Sequence, residues 1–300
     1  MGRGPTFLGI GGQKAGTTWL HSVLAQAPDV YVPPVKELHH FDRLDGRTVS
    51  VGLAPAEVPR KRGITLYKKP KGRFSRNAQR VLNHAVAGEF SALMFYYRFM
   101  IKKRQAGWYD SLFPPRYAIR GEITPEYALL SEDMIRSIVG DYPDLKAIYL
   151  LRNPVDRSWS GYRYNVTRSG QDRSDQAAMD GFLTRSAAIE RAAYADHIDR
   201  WARHLKPGHL LVGFYDALQH HPQALLSDIS RFLECSPLQP VSERVNVSVR
   251  IEMPDSFKAK AEAIYRDEIA TLARRYGGYC SDWSDGILSS TAAHDASVVI

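Results

Sequence analysis

Residues 7–20 read FLGIGGQKAGTTWL. A run of apolar residues stops at paired glycines and resumes with helix-forming character, the pattern of a strand turning sharply into a helix. Gly11 and Gly16 keep the G-x-x-x-x-G spacing, in which glycines let backbone N–H groups converge on an anion at a helix N-terminus. A nucleotide-hydrolysing loop carries lysine directly after the second glycine and then a metal-binding hydroxyl. Here Thr17 and Thr18 follow Gly16, and the lysine comes earlier, as Lys14. The loop can cradle a phosphate with two hydroxyls and a cation, but it lacks the ATPase lysine position. Taken alone, the glycines are equally compatible with a plain strand-to-helix turn.

The same alternation continues outward. YAIRGEIT precedes SEDMIRSIVGDY, LKAIYLLRN precedes PVDRSWSGYRYNVTR, and HLLVGFYDAL precedes HPQALLSDISRFL. Continuous apolar strands separated by helices predict an α/β fold, a P-loop-type three-layer sandwich with a central parallel sheet flanked by helices. Ligands of such sheets bind at the carboxyl ends of the strands. One such end carries Arg152, with Ser160 eight residues further on in the following helix. Where an NTPase often sets an acidic residue to organise magnesium, arginine offers a rigid fork for a dianionic phosphate, and serine adds a hydroxyl donor. Separately, each has a plainer reading, Arg152 as a surface ion pair and Ser160 as a solvated helix position.

A single domain over residues 1–300 is expected, with an insertion at about 43–105. The insertion is first basic (PRKRGITLYKKPKGRFSR) and then aromatic (FSALMFYYRFMIKK). The basic part reads as a solvated loop or as a surface for acidic glycans, membrane headgroups or nucleic acid. The aromatic part reads as core, pocket lining, lid or dimer contact. A late helix is predicted over 256–276, and the small, polar tail after about 284 is expected to be disordered.

Composition sets outer bounds. Hydrophobic residues make up 44%, yet no apolar run reaches the ~20 residues of a membrane span. The chain enters its first strand without the apolar core of a signal peptide. Gly2 and Thr6 fit a loose myristoylation pattern, and Asn165 and Asn246 head glycosylation sequons; all read as chance matches of short motifs. Cys235 and Cys280 are the only cysteines, which points to a reducing, cytoplasmic setting, and the chain shows no metal-site spacing, so no metal is expected. The net charge of +8 implies an anionic partner.

Taken whole, QKAGTTWL resembles the 5′-phosphosulfate loop of sulfotransferases that use 3′-phosphoadenylyl sulfate (PAPS). YLLRNPVDRSWSGY resembles their 3′-phosphate motif, in the right order along the chain. PPVKELHHFD, WYDSLF and GEITPEYALL look like further landmarks of the family, and the branch most resembled is the bacterial one related to glycan sulfotransferases. The resemblance implies PAPS as co-substrate, held by Gly12, Gln13, Lys14, Ala15, Gly16, Thr17 and Thr18 at the 5′ side and by Arg152 and Ser160 at the 3′ side. Trp19 would stack on adenine or lie buried. Lys14 would stabilise the bridging oxygen as the sulfuryl group leaves, and Glu37 would be the base, with His39 and His40 as competitors.

Ile123 departs from the pattern, standing where some glycan sulfotransferases have a lysine that meets the acceptor; this weakens a heparan-like assignment. The acceptor is expected to be a glycan hydroxyl or a hydrophobic, small-molecule or lipid alcohol. No nucleic-acid partner is expected, and any membrane association would run through the basic insertion. The rival readings are a phosphate-loop kinase or NTPase and a non-catalytic polyanion-binding protein.

Overall fold

The computed structural model describes residues 4–46, 90–100, 107–169, 175–241 and 252–300. Six strands form one sheet: β1 (Phe7–Gly11), β2 (Val30–Tyr31), β3 (Ile119–Ile123), β4 (Lys146–Leu151), β5 (Leu210–Phe214) and β6 (Ser297–Val299). Their order is β2-β3-β1-β4-β5-β6. The first five run parallel, and β6 is antiparallel to β5. Every residue of β1 and β5 is buried, which explains their unbroken apolar character: helices cover both faces, so no position is left for a polar residue.

The helices that position the site are α1 (Thr17–Leu24), α2 (Phe41–Leu44), α3 (Phe90–Met100), α4 (Glu132–Asp141) and α5 (Pro154–Ser169). The predicted strand–helix pairs all occur. In α4, the Ser131 hydroxyl caps the start by accepting from the Met134 N–H at 3.3 Å, and Glu132 and Asp133 favour the positive helix end. The late helix spans Asp255–Tyr276 and packs Phe257 against Trp159 and Tyr162 of α5.

Within the aromatic part of the insertion, Phe90–Met100 forms α3, which brings some of its rings into the core and leaves Tyr97 exposed. Phe95 and Tyr96 are buried, Phe99 stacks near Trp108, and the Trp108 indole N–H donates to the Arg98 carbonyl at 2.8 Å. The basic stretch at 60–76, the sequon at Asn246 and Gly2 lie outside the described residues.

The tail differs from its expectation. β6 pairs with β5, Ile300 exchanges backbone hydrogen bonds with Leu210, and the Ser290 N–H donates to buried Asp216 at 2.9 Å. Its composition is small and polar, but what orders it is backbone pairing, because β5 would otherwise present an edge of unmatched N–H and C=O groups. Composition does not register that demand. The sheet is accordingly mixed rather than wholly parallel.

Candidate active site

The glycine loop leaves the carboxyl end of β1 and is tied to the neighbouring strand, the Gly12 N–H donating to the Leu150 carbonyl at 2.7 Å. Within it, the Ala15 N–H donates to the Gly12 carbonyl at 3.1 Å, closing a tight turn. Gly16 starts α1 in the left-handed region, at φ 89°. A Cβ there would stand 2.5 Å from a Leu218 methyl and 3.3 Å from the Tyr215 ring; the methyl is a side-chain tip that can turn aside, so it is the left-handed backbone that calls for glycine. Among the described residues no side chain caps this helix start, and no acidic residue occupies its first turn, which leaves its N–H groups and positive dipole end for an anion. Ala15 and the Thr17 side chain are buried and Thr18 is half-buried; Trp19 is half-buried and packed against the core.

Cations converge on this loop. Arg152, just beyond β4, donates from Nη1 to the Lys14 carbonyl at 3.2 Å and lies 3.9 Å from Asp156. Its guanidinium sits over the Tyr215 ring at 4.4 Å, and its Nε is buried without a hydrogen-bond partner among the described residues. A buried, unsatisfied guanidinium N–H beside a glycine cradle suits an anionic ligand with more than one oxygen to offer. The Lys14 ammonium lies 4.4 Å from the centre of the Tyr164 ring. Burial first, then the charges of Arg152, Arg163 and Lys36, lower the Lys14 pKa, while Glu37 opposes them. Ser160 is half-buried on α5. Asp156, Ser160 and Tyr164 are spaced four residues apart and share one helix face. The two ends of that stripe approach Arg152 and Lys14, so Ser160 sits on the face turned toward the loop.

A second loop, 36–40, follows β2 and supplies the other half of the site. Glu37 and His39 both take positive φ, 62° and 52°. This unusual backbone is held from behind: the Glu37 N–H donates to the Ile123 carbonyl at 3.2 Å, and the His40 N–H donates to the Tyr127 hydroxyl at 3.0 Å. The Leu38 N–H donates to the buried Glu122 carboxylate at 3.1 Å. Glu122 also accepts from the hydroxyls of Thr124 at 2.7 Å, Tyr127 at 2.7 Å and Tyr109 at 2.8 Å. Burial raises the Glu122 pKa, and the four donors pull it back only in part.

Lys36 joins the two loops. Its ammonium donates to the Thr17 hydroxyl at 3.2 Å and to Glu37 Oε1 at 2.6 Å. Behind Glu37, its Oε2 lies 3.8 Å from His39 Nε2, and His39 Nδ1 lies 2.7 Å from Asp42. Burial disfavours the imidazolium, but the Asp42 hydrogen bond and charge, with Glu126 and Glu37, outweigh it and raise the His39 pKa. His40 turns elsewhere: its ring stacks on Tyr109 at 4.1 Å with planes 7° apart. Gln13 donates from Nε2 to Glu126 at 3.0 Å, tying the glycine loop to the turn that follows β3. Burial, and then the Glu37 charge, raise the Glu126 pKa.

The structure therefore brings Lys14, Arg152, Thr17 and Glu37 together and separates His39 from His40. Sequence reading missed Asp42, Tyr164, Tyr215, Arg163, Glu122 and Glu126. Of these, Asp42 carried a usable signal, an acidic residue three positions after His39. No group of three or more His, Cys, Asp or Glu side chains placed to hold a metal occurs among the described residues. Nor is any described helix long and apolar enough to cross a membrane.

A sequence model of the sulfotransferase family matches residues 5–240. The chain belongs to the sulfotransferase family. Among characterised relatives, the mouse heparan sulfate glucosamine 3-O-sulfotransferase 6 is 29% identical over 137 residues, covering 43% of this chain and 40% of that protein. The mouse bifunctional heparan sulfate N-deacetylase/N-sulfotransferase 3 is 24% identical over 160 residues, covering 47% of this chain and 18% of that protein. The matched stretch thus spans less than half of each of these two sulfotransferases. The crystal structure of a sulfotransferase from Alicyclobacillus acidocaldarius has the same fold, with a TM-score of 0.62 and 21% identity, over 93% of this chain and 98% of that one.

Proposed function

We propose that this member of the sulfotransferase family moves the sulfuryl group of PAPS to a hydroxyl of a carbohydrate acceptor. The observation that carries the reading is the Lys36 bridge, which seats the carboxylate of Glu37 beside Thr17 of the phosphate loop. A base adjacent to a donor cradle is what in-line transfer requires.

The loop 12–18, with its backbone N–H groups and threonine hydroxyls, would hold the 5′-phosphate of the donor. Arg152 and Ser160 would hold the 3′-phosphate. The donor brings an activated S–O bond to the site. The acceptor oxygen bonds to sulfur, the bond from sulfur to the 5′-phosphate oxygen breaks, and the acceptor proton passes to Glu37. Charge then gathers on the departing phosphate oxygen, where the Lys14 ammonium stabilises it. Metal-free phosphoryl chemistry is demanding because of the charge on the moving group; a sulfuryl group carries less, and clustered cations serve.

Exposure supports Glu37 as the base. The Glu37 side chain is 39% exposed and the His39 side chain 4%, so an acceptor reaches Glu37 and not His39. His39 and Asp42 stand behind it as a charge-orienting pair. The heparan sulfate relatives support the carbohydrate class, and Ile123 in place of a lysine argues for an acceptor less dependent on a cation at that point.

The test is calorimetry with 3′-phosphoadenosine 5′-phosphate against ATP–Mg, followed by transfer of labelled sulfate to a panel of neutral and acidic saccharides. Tighter binding of the bisphosphate and label on a saccharide are expected. Preference for ATP–Mg would sink the reading.

A further inference from the structure

The Lys14 ammonium occupies a position that needs explanation. It is half-buried and surrounded by Arg152, Arg163 and Lys36, with Glu37 as the opposing charge. An ammonium on a four-carbon stem would escape such repulsion by swinging into water unless something held it. What it meets is the face of Tyr164, 4.4 Å from ring centre to nitrogen. Tyr164 is itself 46% exposed on α5, so the core does not require an aromatic residue there. It stands four residues after Ser160, on the helix face already turned to the loop.

We propose that Tyr164 is the positioning residue of Lys14, its π face holding the ammonium within the cationic cluster so that it is in place for charge developing at the phosphate loop. The ring quadrupole attracts the cation without introducing a negative charge, which would compete with an anionic donor. A carboxylate in the same position would hold Lys14 at least as tightly but would repel the phosphosulfate. Aromatic support is not confined to Lys14, since Arg152 lies over Tyr215 in the same way. The inference rests on the assignment of Lys14 to donor activation, and its test includes a readout independent of transfer.

Acetic-anhydride labelling of the Lys14 amine, followed by peptide mass spectrometry across pH, measures the midpoint at which that amine becomes reactive. The ring favours the charged form, so Tyr164→Leu is expected to lower the midpoint by about half a unit to one unit. Tyr164→Phe, which keeps the π face, is expected to hold the midpoint of the parent. In steady-state transfer, the Leu variant should lose about threefold to tenfold in kcat with little change in KM for the donor, and the Phe variant should recover that loss. An unmoved midpoint in the Leu variant overturns the proposal, as does a Phe variant that shifts as far as Leu. A Leu variant with a shifted amine but the kcat of the parent overturns the positioning role. Should Lys14→Ala itself retain transfer, the donor-activation role falls, and the labelling comparison still reports whether the ring holds the amine.

Discussion

The two loops of the site are built on opposite principles. The donor loop, 12–18, carries its anion-binding groups within itself: glycine conformations, hydroxyls and one lysine within seven residues, at the end of a fully buried strand, though Leu150 and Arg152 also anchor it. The acceptor loop, 36–40, is held from a distance. Its backbone bonds to Ile123, Glu122 and Tyr127, each more than eighty residues away in sequence. The donor side is rich in cations resting on aromatic faces, whereas the acceptor side is rich in carboxylates and hydroxyls. Under the proposed function this is a labour divided by charge, with one half to neutralise an anion and the other to accept a proton. Lys36 is the member they share.

Breaking the acceptor half at its base gives the largest expected effect. Glu37→Gln keeps the shape and removes the charge, and kcat should fall by about 10²–10⁴-fold with the affinity for the product nucleotide nearly kept. Full kcat in that variant would move the base to another group. On the donor half, Arg152→Ala removes a charged fork, and binding of 3′-phosphoadenosine 5′-phosphate by calorimetry should weaken by about ten- to a hundredfold. A comparable loss in Glu37→Gln would contradict the separation of the two halves.

The smallest effect sharpens the comparison through pH. The folded pKa of His39 is raised, so its stabilising contribution is full below the ordinary histidine value and is lost as pH rises through the folded one. Asp42→Asn removes the main group that raises it and leaves burial opposed only by the Glu126 and Glu37 charges. The variant should therefore lose stability chiefly on the acid side, by about 1–2 kcal/mol in urea unfolding near pH 5.5, and less near pH 9. Equal losses at both pH values would show that Asp42 acts by packing and not by charge.

This division also explains what could be read from the chain. The candidates Lys14, Gly16 and Thr17, like Arg152 with Ser160, stand out in the sequence because the chemistry proposed for them depends on spacing within a few residues. The strands and their helices were equally legible, since burial on both faces writes itself as continuous apolar runs. Glu122 was not legible: its role arises from Tyr109, Thr124, Tyr127 and Leu38 meeting in three dimensions. Tyr164 was hidden for a similar reason, an exposed aromatic residue being unremarkable until a lysine is found above it. The segment after Ser284 misled because its residues have weak preferences and its order is imposed by β5.

That last pairing has a practical reach. With β6 in place, the flank of β5 offers no docking rail to another molecule. Were residues 296–300 removed or displaced, a stretch reading Leu-Leu-Val-Gly-Phe would face solvent along one side, inviting neighbouring copies to zip onto it. The covering of that edge, a matter remote from sulfuryl chemistry, thus rests on a strand of three residues.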